Sequence, residues 1–294
     1  MSKKIAFLGL GTMGGAMANN LSKAGFEVNG YDPFDEACQK AQQNGIETFS
    51  SPAEACKEVD VILSSVPETN DVTEAYLGEK GALISASKGT VCFDLSTITP
   101  EGSVKIAEEA KKYGVVFLDT PVSGSAPHAI EGTLAIMVGG DREEMEKHKD
   151  VLEVIGESIH HIGENGAGLK MKLVTNHVFS GHLAVFAEAL SLGKKAGLNA
   201  NTIMEFLKNS VIPKMLTYKG TPLAEKDYTP TFRTNLMLKD LRMITAMAED
   251  LKMPIPISSI TRQIYMSAAA LGYGDSDQNA ILEFFEKSGA IDHK

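Results

Sequence analysis

Lys4-Ile5-Ala6-Phe7-Leu8-Gly9-Leu10-Gly11-Thr12-Met13-Gly14 is the stretch on which the reading of this chain turns. It opens as a short apolar run of strand length, passes through three glycines spaced GxGxxG, and leads at once into a helical pattern that lasts to about residue 24. Glycines with this spacing mean little by themselves. Between a strand and a helix they form a loop with a mechanical purpose. Gly9 allows the tight turn, and Gly11 lets the backbone come close to a pyrophosphate. Gly14 lets helix and strand pack closely, while the helix N-terminus attracts the phosphates. Leu10, Thr12 and Met13 complete the loop.

The next strand-like run, FEVNGYD, ends on Asp32. That position lies about 20 residues past the loop, where a carboxylate can accept hydrogen bonds from adenosine ribose hydroxyls. The following stretch, PFDEACQ, carries no cation before Lys40, so a 2′-phosphate would meet repulsion. NAD is therefore favoured over NADP as the expected cofactor.

Working outward, residues 1–163 alternate apolar β-branched runs with helical patterns. KIAFLG, FEVNGYD, VDVILSSVP, TVCFDLS and VVFLDTPVS read as strands, LAIMVGG as a late one. Helices are expected near 12–24, 35–43, 100–112 and 141–155, with Gly25 and Gly114 as stops. Beyond about 165 the strand signal disappears. A helical pattern runs over 168–196 to Gly197, and further helices are expected near 200–210, 234–252, 256–271 and 277–288. The fold class is thus α/β: a Rossmann-type, doubly wound, mainly parallel sheet followed by an all-helical domain, joined by a long helix. The expected division is 1–163 for the nucleotide-binding domain and 164–294 for a helical substrate and oligomerisation domain, with the active site between them.

Composition narrows the class. The 294 residues are 43% hydrophobic and 22% charged, the balance of a globular protein. A net charge of -10 and the lack of Trp argue against nucleic acid or an acidic membrane as partner, since phosphate binding needs clustered cations. A small anionic substrate needs only local positive potential. Cys38, Cys56 and Cys92 are widely spaced, which fits a reducing compartment. No run reaches the length of a membrane span, and the apolar run after MSKK is too short for a signal peptide, so cytoplasmic residence is expected.

Several segments together resemble the β-hydroxyacid dehydrogenase family, which includes 3-hydroxyisobutyrate dehydrogenase and the glyoxylate/succinic semialdehyde reductases. They are GLGTMGGAMANNL at 9–21, DLSTITP at 94–100, DTPVSGSAPHAIEGTLAIMVGG at 119–140, GENGAGLKMKLVTN at 163–176 and FRTNLMLKDL at 232–241. The resemblance implies hydride transfer between nicotinamide and a small 3-hydroxy acid, or its semialdehyde or keto counterpart. It implies Lys172 as the catalytic lysine, with Asn176 beside it. Helix geometry agrees, because positions i and i+4 share a face, whereas Lys170 lies about 200° away from Lys172. Ser123 and Gly124 resemble the family's carboxylate-binding loop, a hydroxyl plus backbone N–H groups. Val66, Pro67 and Thr97 match positions on the nicotinamide side, Thr97 also facing substrate. Lys239 and Asp240 match a helix-borne pair that reaches toward cofactor and substrate. A homodimer or homotetramer is also implied.

Two departures bear on substrate identity. Ser125 replaces the usual second glycine of the carboxylate loop, and Pro127-His128 is uncommon there. Specificity is expected to rest on residues such as Ser125, His128, Met215, Tyr218 and Arg233, and Arg233 is one of only four arginines. Tyr76 and Lys80 fit a YxxxK spacing, yet Gly78 interrupts the helix between them. His177 and His182 stand five apart on a helix and diverge, and there is no HExxH or Cys/His cluster, so no metal is expected. The alternatives are an NADP-dependent glyoxylate/succinic semialdehyde reductase, an imine reductase, which generally lacks the lysine, and, more remotely, a non-catalytic NAD-binding scaffold.

Overall fold

The computed structural model describes residues 3–210 and 215–290, with residues 215–218 described by backbone alone; the side chains of Met215 and Tyr218 therefore lie outside the described residues. The chain forms two compact units, Met1–Lys172 and Leu173–Lys294.

In the first unit β1 (Lys4–Leu8) leads through the glycine loop to α1 (Thr12–Lys23), followed by β2 (Glu27–Tyr31), α2 (Asp35–Gln43), β3 (Glu47–Thr48), α3 (Pro52–Ala55), β4 (Val61–Ser64) and α4 (Thr69–Leu77). Then come β5 (Val91–Asp94), α5 (Pro100–Lys112), β6 (Val116–Asp119), β7 (Val122–Ser123), α6 (Ala126–Glu131), β8 (Leu134–Gly139), α7 (Arg142–Lys147), α8 (Lys149–Ile155) and β9 (Gly156–Gly163). The nine strands found among the described residues form one sheet in the order β3-β2-β1-β4-β5-β6-β8-β7, with β9 paired to β8. The first six strands run parallel, and their order is that of a doubly wound nucleotide-binding sheet.

Register carries more information than order. Leu8 is paired with Tyr31 and with Ser64, Ser64 with Asp94, and Asp94 with Asp119. Five strands consequently end level, and the loops after them emerge along one edge. Side chains alternate between the faces. Ile5, Phe7, Leu63 and Phe93 pack with Met17, Leu21, Leu152 and Ile155 of α1 and α8. Ala6, Leu8, Ile62, Cys92 and Phe117 pack on the other face with Val72, Tyr76, Ile106 and Ala110. Burial on both faces explains why these strands read as continuous apolar runs rather than alternating ones.

Several details of the first unit depart from expectation. VVFLDTPVS is two strands, because β6 stops at Asp119 and β7 turns to pair antiparallel with β8. Pro121, which has no N–H to give a ladder, stands at the break. The helical stretch over 141–155 is interrupted at His148. The helix over 126–131, short and containing Pro127, was not legible at all.

The long helix α9 (Ala167–Lys195) follows, with Gly197 at φ +87° soon after its end. The second unit adds α10 (Ala200–Lys208), α11 (Met215–Glu225), α12 (Thr234–Asp250), α13 (Pro256–Ala268) and α14 (Ile281–Ser288). Its core gathers Leu183, Phe186 and Leu190 of α9 with Leu238, Leu241, Tyr265 and Ile281. One buried ionic knot stands in this unit. Lys219 Nζ reaches both carboxylate oxygens of Asp277, at 2.9 and 3.1 Å, and the hydroxyl of Thr231 at 2.8 Å. Asp277 also accepts the N–H groups of Thr231, Phe232 and Asn279, so the loop before α12 is tied down from several sides. Among the described residues no helix is long and apolar enough to cross a membrane.

Candidate active site

The glycine loop meets the geometric demands of a pyrophosphate cradle. Gly9 has φ +90°, and a Cβ there would lie 2.4 Å from the Ser65 carbonyl oxygen and 2.9 Å from Cγ1 of Val66. A Cβ on Gly14 would lie 2.0 Å from the Gly9 carbonyl oxygen, so the helix can approach the turn only without one. Gly11 by contrast borders open space, and a Cβ there would meet no atom within 4 Å. It caps α1 with no side-chain hydrogen bond, and no acid sits in the first turn. The orphan N–H groups and positive end of α1 are thus left for an anion.

Asp32 is attached to this loop. Its Oδ2 accepts the Leu10 N–H at 2.7 Å and its Oδ1 the Phe34 N–H at 2.9 Å. Each oxygen keeps a second lone pair for a hydroxyl donor. Around it stand Asp35 and Glu36 in the first turn of α2, while Lys40 is paired with Glu36 at 2.8 Å.

The level strand ends bring the other predicted residues of this unit to the same edge. Val66 and Pro67 follow β4, Thr97 follows β5, and Ser123 and Gly124 lie beyond β6. Val66 touches the Gly9 turn, as the hypothetical Cβ distances show, and its N–H donates to Ser96 Oγ at 2.9 Å. Gly124 has φ +141°, and a Cβ there would meet Leu134 at 2.6 Å and His128 at 3.0 Å. The next residue, Ser125, caps α6. Its N–H donates to Nδ1 of His128 at 3.2 Å, and its hydroxyl lies 3.1 Å from the same nitrogen. A backbone N–H can only donate, so Nδ1 is the acceptor in this contact. The two departures from the family pattern are therefore one feature: they form a reciprocal cap.

Lys172 and Asn176 lie one turn apart on α9 and are both buried, at 7% and 5% exposure, whereas Lys170 is exposed. Within the second unit Asn176 Nδ2 donates to Asp240 Oδ2 at 2.7 Å, and Lys239 Nζ lies 3.3 Å from Asp240 Oδ1. Three of the predicted residues, Asn176, Lys239 and Asp240, thereby form one cluster. Arg233 is exposed at the N-cap of α12 and forms a backbone bridge with Asp277. Tyr76 of the YxxxK pair is buried, its hydroxyl 2.9 Å from Ser64 Oγ, and α4 ends at Leu77.

Two buried aspartates were missed. Asp94 accepts from Ser64 Oγ at 2.7 Å and from the Ser96 N–H at 3.2 Å. Burial pushes its carboxyl up to about 6, against the opposing pull of the Ser96 and Ser64 hydrogen bonds. Asp119 is likewise raised, first by burial, and its hydrogen bonds from backbone N–H groups act against that. The available signal was an acid closing an otherwise apolar strand, VCFD and VFLD, just before each motif.

Residues 4–163 match the NAD-binding domain of 6-phosphogluconate dehydrogenase, and residues 166–285 the NAD-binding family of NADP-dependent 3-hydroxyisobutyrate dehydrogenase. Human mitochondrial 3-hydroxyisobutyrate dehydrogenase is 34% identical over 96% of this chain and 87% of its own. The 2-(hydroxymethyl)glutarate dehydrogenase of Eubacterium barkeri is 33% identical over 99% and 97%. Among solved structures, Mycobacterium tuberculosis 3-hydroxyisobutyrate dehydrogenase with L-serine superposes with a TM-score of 0.86 at 33% identity, covering 97% of this chain and 99% of that one. The glycine cradle, the strand-end motifs and these full-length matches lead to one conclusion: the chain belongs to the β-hydroxyacid dehydrogenase family, NAD(P)-dependent oxidoreductases of small hydroxy acids.

Proposed function

We propose that the protein oxidises a short 3-hydroxy acid with NAD, or reduces the matching semialdehyde, using Lys172 as the group that holds and releases the alcohol proton. The observation that carries this reading is the burial of Lys172 and Asn176 on one face of α9 while Lys170 is exposed. Oxidising an alcohol requires a base for the hydroxyl proton, and the reverse direction requires the same group as acid. Bound nicotinamide supplies the hydride acceptor or donor. In its ammonium form Lys172 also polarises a carbonyl oxygen and stabilises negative charge developing there. Asn176, with its amide pinned by Asp240, orients the substrate oxygen, and Lys239 works with Asp240 beside it.

Ser123 and Gly124 take the substrate carboxylate through a hydroxyl and a backbone N–H; Thr97 lies on the substrate and nicotinamide side with Val66 and Pro67. Gly9, Leu10, Gly11, Thr12, Met13 and Gly14 hold the pyrophosphate. Asp32 takes the ribose, and its acidic surroundings disfavour a 2′-phosphate, which supports NAD over NADP. The names of the relatives and of the M. tuberculosis ligand share a hydroxymethyl group next to a carboxylate-bearing carbon, and that is the substrate class we assign. Residues 1–163 serve the nucleotide and 164–294 the substrate and self-association. Exposed Val178, Val185 and Leu192, seven apart on α9, with Ile257 and Ile260 on α13, support a homodimer or homotetramer. The free thiols of Cys38, Cys56 and Cys92 support a cytoplasmic setting.

The test is the absorbance of reduced nicotinamide, with NAD and NADP each paired with 3-hydroxyisobutyrate, L-serine, 3-hydroxypropionate and glycerate, for the wild type and Lys172→Ala. Turnover that prefers NAD and falls by a factor on the order of 10² or more in the variant is expected. Undiminished turnover in Lys172→Ala would refute the assignment.

A further inference from the structure

The side chain of Asp119 is buried at the end of β6, and among the described residues it forms no ion pair. Backbone donors surround it instead. Oδ1 accepts the Gly166 N–H at 2.6 Å and Oδ2 the Leu169 N–H at 3.0 Å, while the N–H groups of Gly168 and of Asp119 itself act on the same carboxylate. Helix α9 begins at Ala167. These donors therefore include the first-turn N–H groups that no helix can satisfy from within. The carboxylate caps α9 from a different strand, and its charge meets the positive end of a long helix.

The surroundings are shaped to this carboxylate. A Cβ on Gly139 would lie 2.6 and 2.7 Å from its two oxygens, and one on Gly168 would lie 2.9 Å from Oδ2. Asn165 adds a second tie, donating from Nδ2 to the Phe117 carbonyl at 2.7 Å. The helix start is thus fixed in translation and in rotation against β6. Lys172 follows Leu169 by three residues, about one turn. Just beyond Asp119 on the other side run Pro121, Val122, Ser123 and Gly124.

We propose that Asp119 is a positioning residue for Lys172, setting the rotation of the first turns of α9 so that the ammonium group meets the substrate oxygen. This rests on the reading of Lys172 as the catalytic lysine. Because a misplacement of about 1 Å can cost a factor of about 10² in rate, even a modest rotation of this helix start matters.

The test is a double-mutant cycle with Asp119→Asn, Lys172→Ala and the pair. Asparagine keeps one acceptor oxygen and turns an NH₂ toward a backbone donor, so the cap is broken on one side. For Asp119→Asn we expect kcat to fall roughly 10- to 100-fold, while NADH affinity, read from nicotinamide fluorescence, changes less than about 3-fold. In the Lys172→Ala background Asp119→Asn is expected to lower the residual rate no further. Should Asp119→Asn fail to fold by circular dichroism, Gly139→Ala, which keeps the acid but forces apart its oxygens and the Gly168 nitrogen, 2.6 to 2.8 Å from the new methyl group, is run through the same cycle with the same expectation. Additive losses on the residual rate of a slowed Lys172→Ala background, or an unchanged kcat in the folded variant, would overturn the proposal alone. A fully active Lys172→Ala would remove the lysine reading and this proposal with it.

Discussion

Replacing Asp94 with asparagine isolates a proton that the folded protein holds and the unfolded chain does not. Burial at the end of β5 moves this carboxyl from an ordinary 3.8 to about 6, with hydrogen bonds from Ser96 and Ser64 opposing the shift. The difference is roughly two pH units, which at about 1.4 kcal/mol each amounts to about 3 kcal/mol. The sign follows from which state binds the proton. Between pH 4 and 6 the folded form keeps it while the unfolded form has lost it, so stability declines as pH rises through this window. Below the window both states are protonated, and above it both are ionised, so Asp94 adds no further slope. Asparagine resembles the protonated acid and can still accept from Ser64 Oγ and the Ser96 N–H. Asp94→Asn should therefore match the wild type near pH 4 and exceed it by up to about 3 kcal/mol near pH 7. The assay is thermal or urea unfolding of both proteins across this range, read as the difference between them; titrations of groups remote from Asp94 cancel, whereas Asp119, whose charge acts on Asp94, is replaced by Asn in both proteins as a control. A difference that stays flat with pH would refute the reasoning, and so would a variant less stable at pH 7 than at pH 4 relative to the wild type.

Other consequences can be checked more briefly. Gly14→Ala would place a methyl group 2.0 Å from the Gly9 carbonyl oxygen, so the turn must open; NADH affinity should fall by a factor on the order of 10 or more, measured by fluorescence titration. Lys219→Met removes the cation from a buried pair in which Lys219, with Thr231, holds the Asp277 carboxyl below its usual range despite burial. The loss should be about 3–5 kcal/mol by urea unfolding, and Asp277→Asn added to it should recover part of that loss, because no uncompensated charge remains.

Much of this is legible in the sequence itself, for reasons that are local. The glycine loop, the strand before it and the helix after it are contiguous, while for Lys172 and Lys170 the helical repeat says only that they face different ways, and the family resemblance selects Lys172. What escaped depends on distance along the chain. Asp94 finds Ser64 from 30 residues away, and Asp119 finds Leu169 from 50. No window of sequence contains both partners. The helix over 215–225 escaped for the opposite reason: Gly220 and Pro222 are local signals against a helix, and tertiary packing overrides them. Ser125 and His128 looked like two separate oddities because a histidine is a rare partner in a reciprocal cap.

The knot around Asp277 also has a bearing on how the protein is made. A growing chain emerges from its N-terminus, and domains generally fold as units in that order. Every strand of the sheet, and the Asp119 anchor for the start of α9, is available once residue 172 has emerged. The loop before α12 must wait. Lys219, Thr231 and Phe232 cannot find their common acceptor until residue 277 has been synthesised. During that interval the nucleotide-binding half can already be assembled while the segment carrying Lys239 and Asp240 is still untied, so the sheet can form before the contact between Asn176 and Asp240 is secured.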